Sequence, residues 1–257
     1  MKIIIFVLSF VSLSVLAVPP FNSTIFVDAD IITDSDPTTY ISKLYQGTGQ
    51  RLMFDNRINE FRTFTVHLFD VSYSDNNIIE FQVNSEFDQV EADQKTTFYA
   101  TAIGRIPAEL KSLVRSVWMH RGDEAFGNDI DSILIHTGSI AQSYILDGFL
   151  EEVLVHESTH TSIDPKHSQA TSWLVAQQAD PDFISTFAQD NPTQEDLAET
   201  LLMYLAVTYR SDRISNETKQ TIENTIPNRI NYITDQNFDF SLLGEPGSEI
   251  IFQNGFE

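Results

Sequence analysis

The chain has 257 residues, no cysteine, and 37 acidic against 15 basic side chains, which gives a formal net charge of −22. This charge argues against nucleic-acid and anionic-membrane partners. The lack of cysteine excludes disulfides, thiolate catalysis and cysteine-ligated zinc, so that His, Asp and Glu remain as the candidate metal ligands.

Residues 1–17 have the pattern of a secretory signal peptide. Lys2 supplies the positive start, Ile3 to Leu16 the apolar segment, and Val15 and Ala17 the small residues before a cleavage site. The apolar run is shorter than the about 20 residues of a membrane span. We therefore expect a secreted or periplasmic protein of 240 residues (257 − 17) with no integral membrane segment after signal removal.

The stretch 18–60 is polar, with turn-forming residues at 35–37 and 47–49, and predicts an irregular N-terminal arm that wraps the domain. Beyond it, β-branched and aromatic residues predict strands, of which the first two form a hairpin. The predicted strands are Arg62–Tyr73, Ile78–Phe87, Ser116–His120 and Ser132–His136, and the predicted helices between them are Glu91–Ile103 and one that starts at Pro107.

A polar, glycine-containing loop is predicted at 121–131, between the last two strands. Because the final strand leads toward the next helix, Ile133–Thr137 is the predicted sheet edge to which an extended substrate adds. His136 in this strand is a candidate to face the substrate cleft, with a packed or surface position as the alternative.

The helix predicted over Leu150–His160 carries the motif H-E-x-x-H, and Asp164-Pro165 predicts its end near Ile163. His156 and His160 lie one helical turn apart on a shared face, so both imidazoles can bind one Zn²⁺ at roughly 2.0–2.1 Å. Glu157 lies to the side of that face, where its carboxylate can act as general base on a metal-activated water. The alternative is a helix with two solvent-facing or core histidines.

The second half of the chain is predicted to be mainly helical. Its best helix is Thr193–Tyr209, with Thr193 or Asn191 as the cap, and a last helix over 214–233 is interrupted by Pro227. The fold class is therefore α+β: a mixed β-sheet, an active-site helix and a helical C-terminal half. Without repeats or long linkers, 61–240 is predicted to be one domain, followed by a tail at 241–257.

A catalytic zinc requires a third protein ligand. The pattern H-E-x-x-H-x-x-G-x-x-H fails, because Ile163 and Lys166 stand where it needs Gly and His. His167, one residue later, is one alternative, and Glu195, 35 residues beyond His160 on its own helix, is the other.

Residues after the motif carry a resemblance to a known family: Phe187-Ala188, Asn191-Pro192, and Glu195-Asp196-Leu197-Ala198-Glu199. With the H-E-x-x-H motif, they resemble the gluzincin metallopeptidases, and more closely the anthrax lethal factor-like and related zinc peptidases, over roughly residues 147–210. The resemblance implies a zincin-like fold, a Zn²⁺ cofactor, Glu195 as third ligand and Glu199 as hydrogen-bond partner of a ligating histidine, a role that Asp196 can also serve.

Some members of that family have a substrate-facing tyrosine just upstream of the glutamate helix. This chain has Phe187 in that region, which leaves Tyr204 and Tyr209 as alternatives. Separately, Ile251–Glu257 (IFQNGFE) resembles a terminal tag on exported proteins of some Gram-negative bacteria.

The sequence thus predicts an exported zinc metallopeptidase whose substrate is a peptide or protein. Two other functions stay open: a catalytically inert module that zinc stabilises, and a metal-free acidic binding protein. Whether the arm at 18–60 is a pro-segment or part of the fold also stays open.

Overall fold

The computed structural model describes residues 18–247. The predicted signal peptide and the tag-like segment 251–257 lie outside the described residues.

Six strands form one mixed sheet in the spatial order β1-β2-β3-β4-β6-β5. The first three are antiparallel, β3, β4 and β6 are parallel, and β5 pairs antiparallel with β6 at the outer edge. The strands are β1 Tyr40–Asp55, β2 Glu60–Tyr73, β3 Ile78–Asn84, β4 Ser116–His120, β5 Gly127–Asp129 and β6 Ser132–His136.

Helices fill the gap between β3 and β4 and most of the chain after β6. Together with the mixed sheet they confirm the α+β class. The helices are α1 Gln89–Ile103, α2 Ala108–Lys111, α3 Ser139–Asp147, α4 Leu150–Ser162, α5 Asp164–His167, α6 Thr171–Ala179, α7 Thr186–Asp190, α8 Asp196–Tyr209, α9 Asn216–Thr225 and α10 Pro227–Gln236.

The expectation of an irregular arm over 18–60 is wrong for its second part, because residues 40–55 form the 16-residue strand β1. This strand lies at the sheet edge and alternates between exposed and half-buried residues, so its sequence is polar. Two positions of this strand favour glycine. Gly47 has a φ of +92° beside a register shift, and a Cβ at Gly49 would lie 2.8 Å from Leu68 Cδ1.

The first part of the arm, 18–39, does lie across the helical half. Phe21 forms a β-bridge with Ser185, and Ile31 and Ile32 are fully buried in the main core. At the other end of the chain, residues 241–243 of the predicted tail form a short 3₁₀ helix with Leu243 buried.

The predicted loop 121–131 is also corrected, since it contains the edge strand β5. Three residues of sequence Gly-Asn-Asp favour a turn by composition, and only pairing with β6 makes them a strand. As a consequence β6 is an inner strand, and the prediction that Ile133–Thr137 forms the free edge is wrong.

Two layers of core cover the sheet. Along β4 and β6, alternate side chains face opposite sides, so Val117 and Ile133 join the main core under the helices, whereas Trp118 and Leu134 join a second cluster on the other face. The second cluster is completed by the distal part of the β1–β2 hairpin with Met53 and Val66, and by half-buried aromatic rings.

Helix α4 is less amphipathic than its sequence suggests, because every residue except His160 is buried. It packs against the sheet, α2, α3 and α8. Its charged residues are therefore paired rather than solvated: Glu151 binds Arg105 at 2.7 Å, and Glu152 accepts a hydrogen bond from the backbone of Ile32 at 3.0 Å. α4 ends at Ser162, as predicted, with Ile163 as its C-cap.

Within residues 18–247, no helix is both long enough and apolar enough to span a bilayer.

Candidate metal centre

Two helices bring three predicted ligands together. His156 and His160 project from α4, and Glu195 lies at the N-cap of α8, the helix packed against α4. The distances are 3.2 Å between the two Nε2 atoms, 3.3 Å from His156 Nε2 to Glu195 Oε2, and 3.1 Å from His160 Nε2 to the same oxygen. In the described part of the chain, this is the one group of three or more such side chains whose ligand atoms all lie within 4.8 Å of one another.

The triangle of donor atoms fits a tetrahedral ion. Atoms that each lie about 2.0–2.1 Å from such an ion are about 3.3–3.4 Å apart, close to the 3.1–3.3 Å edges observed. Two imidazoles and one carboxylate are also the donor set of a catalytic zinc that keeps one position open. These residues therefore fit Zn²⁺ by chemistry and by spacing.

Glu195 reaches the histidines because it is not used to cap its helix. The prediction that Asn191 or Thr193 caps this helix is wrong, since the N-cap of α8 is Glu195, and its side chain makes no capping hydrogen bond. Residues 191–195 instead form a turn in which the Asn191 carbonyl accepts from the backbone of Gln194 and Glu195. This turn aims the Glu195 carboxylate at α4.

Charges around the site favour a cation. Burial alone would lower the pKa of His160, but hydrogen bonds with Asp164 and Glu195 outweigh it and raise that pKa to about 10. Burial alone would raise the pKa of Glu195, but hydrogen bonds from His156 and His160 lower it to about 2. At neutral pH the two groups form an ion pair, and a metal ion bound by both would have to displace the proton of His160.

Behind each histidine stands a carboxylate. His160 Nδ1 lies 2.6 Å from Asp164 Oδ2, and His156 Nδ1 lies 3.6 Å from Glu199 Oε1, just beyond hydrogen-bond range. Such partners orient a ligating imidazole and select its tautomer. Asp164 was missed by the sequence analysis, which used it only as a helix stop, although its position four residues after His160 places it on the same face.

The other predicted participants lie elsewhere. The partners of Asp196 are Arg229 and Gln177 rather than a histidine, because it faces the buried side of α8. Burial raises the pKa of Asp196 to about 6 despite Arg229. His167, the alternative third ligand, bonds through Nδ1 to the Tyr232 hydroxyl at 2.7 Å, and it is not a member of the three-residue group.

Glu157 follows His156 on α4 but is not one of the three residues whose ligand atoms converge. Its Oε2 accepts a hydrogen bond of 2.9 Å from Asn128 Nδ2 on the edge strand β5. Asn128, His160, Asp164 and Glu195 line an open cleft of about 320 Å³, which Thr193 and Gln194 complete. Sequence reasoning missed Asn128 because its strand was assigned to a loop.

The tyrosines named from the sequence do not line this cleft. Tyr204 is buried and packs with Tyr209 and Phe240. Burial raises the pKa of Tyr144 on α3, and the negative charge of Glu157 raises it further. His136 does not face the cleft either: it is fully buried and stacks on His120 at 5.4 Å.

Comparison of the chain with protein-family models, with curated proteins and with solved structures finds no match in any of the three. The function is therefore inferred from the residues of the cleft.

Proposed function

We propose that this chain is an exported zinc-dependent metallopeptidase of the gluzincin type. The observation that carries the proposal is the convergence of His156 Nε2, His160 Nε2 and Glu195 Oε2 on one point, beside a glutamate that is not part of the ligand set. Export is supported by the signal-peptide pattern of residues 1–17.

In this proposal His156, His160 and Glu195 hold the ion. A zinc ion in such a site supplies Lewis-acid polarisation of a carbonyl and lowers the pKa of a bound water. Glu157 takes a proton from the attacking water and passes it to the leaving amine. Asn128 keeps the Glu157 carboxylate directed into the cleft until the substrate arrives.

The outer edge of β5 is the proposed seat of the peptide substrate. β5 is paired on one side only, by β6, so its outward backbone groups are free to pair with an extended chain. Since Asn128 of this strand contacts Glu157, a peptide added along β5 would lie beside the general base.

The test is digestion of a peptide library together with a zinc measurement, on the wild type and on Glu157→Gln. We expect roughly one zinc per chain in both proteins and about 10²–10⁴-fold slower cleavage in the variant, because general-base catalysis is lost and the ligands remain. Glu217→Gln is the matched control, an identical change in an exposed side chain of α9 outside the cleft, and it should retain activity.

The alternatives give different results. Bound zinc without cleavage by the wild type would identify an inert zinc-stabilised module. A purified protein that takes up no zinc would instead point to a metal-free binding protein, and equal turnover by wild type and Glu157→Gln would refute the role of Glu157.

A further inference from the structure

The N-terminal arm contacts a buried side chain of the candidate metal centre. The backbone N–H of Thr24 donates to Glu199 Oε2 at 2.6 Å, and the Ser23 hydroxyl donates to Glu199 Oε1 at 2.9 Å. The Thr24 hydroxyl adds a third bond, of 3.0 Å, to the backbone carbonyl of Glu199. These bonds join residues more than 170 positions apart in the chain.

Glu199 lies between this arm and His156. It is fully buried, one helical turn after Glu195 on α8, and its Oε1 is 3.6 Å from His156 Nδ1. That nitrogen is itself buried and has no hydrogen-bond partner within the described chain. Oε1 therefore accepts from Ser23 and also faces the one unpartnered nitrogen of the ligand pair.

A buried carboxylate requires hydrogen-bond donors, because it has lost its hydration. Here the arm provides one donor to each oxygen, so it determines where the carboxylate lies within its pocket. A carboxylate that orients a ligating imidazole must be placed to a few tenths of an ångström. Ser23 and Thr24 therefore fix the carboxylate that faces His156 Nδ1.

The same arm also contacts α4, the helix that carries His156 and His160. Farther along it, the backbone N–H of Ile32 donates to Glu152 Oε1 at 3.0 Å, and Glu152 lies one turn before His156 on α4. Burial raises the pKa of Glu152 to about 9, so it accepts this bond as a neutral acid. Residues 23–32 thus connect the helix of the two histidines to the helix of Glu195.

We propose that Ser23 and Thr24 are positioning residues of the metal centre, which act through Glu199 on His156. The arm segment 23–32 is accordingly part of the site and not a pro-segment that must leave before metal binds. This inference rests on the proposed function in that it assumes the ligand set His156, His160 and Glu195.

The test compares zinc affinity, by chelator competition, in Ser23→Ala, Glu199→Gln and the double variant. We expect Glu199→Gln to weaken binding about 10–100-fold and Ser23→Ala about 3–10-fold, as for partners behind a ligating histidine. In the Glu199→Gln background, Ser23→Ala should weaken zinc binding little further, because Ser23 is proposed to act only through the Glu199 carboxylate. Ser23→Thr, which keeps the hydroxyl, should restore the wild-type affinity.

Thr38→Ala is the matched control. It removes an arm hydroxyl whose bond to the Thr101 carbonyl is 2.8 Å, at the end of the arm away from Glu199. If Ser23→Ala weakens zinc binding no more than this control does, or by the same factor with and without Glu199, the proposal is refuted.

A second measurement does not need metal. The ¹⁵N resonances of the His156 ring, recorded without added metal, should differ between wild type and Ser23→Ala and coincide between wild type and Thr38→Ala. Unchanged His156 resonances in Ser23→Ala would overturn the inference. If the wild type binds no zinc yet these resonances shift, the proposed function fails while the link from Ser23 to His156 stands.

Discussion

Two pairs of histidines lie close together in the protein, and three of these four side chains are buried while His160 is half-buried. His156 and His160 lie one turn apart on α4, with their Nε2 atoms 3.2 Å apart and a carboxylate completing the triangle. His120 and His136 lie side by side on the parallel strands β4 and β6, with their rings stacked. His136 Nε2 also has a carboxylate partner, since it is 3.5 Å from Asp55 Oδ1.

The direction of the ring nitrogens separates the two pairs. In the strand pair, both ring nitrogens of His120 are hydrogen-bonded, one to the Phe54 carbonyl and one to the Asn84 side chain. The two rings are stacked, so their nitrogens do not converge on one position. Burial lowers the pKa of both rings, to about 4 for His120, so they stay neutral. In the helix pair, His160 keeps a raised pKa through its carboxylate partners. Converging donors in an open cleft, and not buried histidines as such, indicate a metal site.

The largest expected effect comes from removing one histidine of the helix pair, compared with removing one of the strand pair. His156→Ala or His160→Ala should reduce bound zinc from roughly one per chain to near zero, because two remaining donors hold a zinc ion weakly. His136→Gln should leave zinc content unchanged. Elemental analysis of the folded fraction measures both, and loss of zinc in His136→Gln would show that the strand pair takes part.

The carboxylate of the strand pair should matter for stability alone. Asp55 is buried and bound by Arg57 at 2.7 Å, so Asp55→Asn breaks an ion pair. We expect a loss of about 3 kcal/mol in the free energy of unfolding, at the lower end for buried pairs because Arg57 is partly exposed. Urea denaturation measures it, and a fall in zinc affinity beyond this destabilisation would contradict the separation of the two regions.

The carboxylate of the helix pair should act on metal binding. Asp164→Asn keeps the shape of the side chain but weakens the acceptor that orients His160. The expected result is zinc binding that is weaker by about 10–100-fold, measured by chelator competition. An affinity equal to that of the wild type would mean that Asp164 serves the turn after α4 and nothing else.

The last prediction is a pH dependence of stability that belongs to the strand pair. The unfolded chain protonates His120 near its ordinary pKa of about 6.5, whereas the folded chain does so only at about 4. The unfolded state therefore binds more protons in that window, and the free energy of unfolding falls as pH drops from 6.5 toward 4, by up to about 1.4 kcal/mol per pH unit. His120→Gln should reduce this slope in urea titrations, and an unchanged slope would refute the assignment.

Much of the fold follows from local patterns. The hairpin of β2 and β3, the helix α1 and the strands β4 and β6 lie close to where the sequence predicts them. β1 and β5 were missed because their residues are polar or turn-forming, and only their neighbours supply the pairing.

The same division holds for the candidate site. The spacing of His156 and His160 is a property of any α-helix, so their shared face was determined by sequence alone. Which residue completes the triangle was not determined by sequence, since His167 and Glu195 were both open until α8 packed against α4. Asn128 became visible only with the cleft, whereas the spacing of Asp164 from His160 is already present in the sequence.

The sequence by itself determined the elements with strong periodicity and the pair of imidazoles one turn apart, because both depend on interactions within a few residues. Tertiary structure alone decided that Glu195 meets those imidazoles, that β5 forms the free edge beside Glu157, and that Ser23 and Thr24 hold Glu199. The physical reason is that these contacts join distant segments, whose approach depends on how the whole core packs rather than on any local pattern.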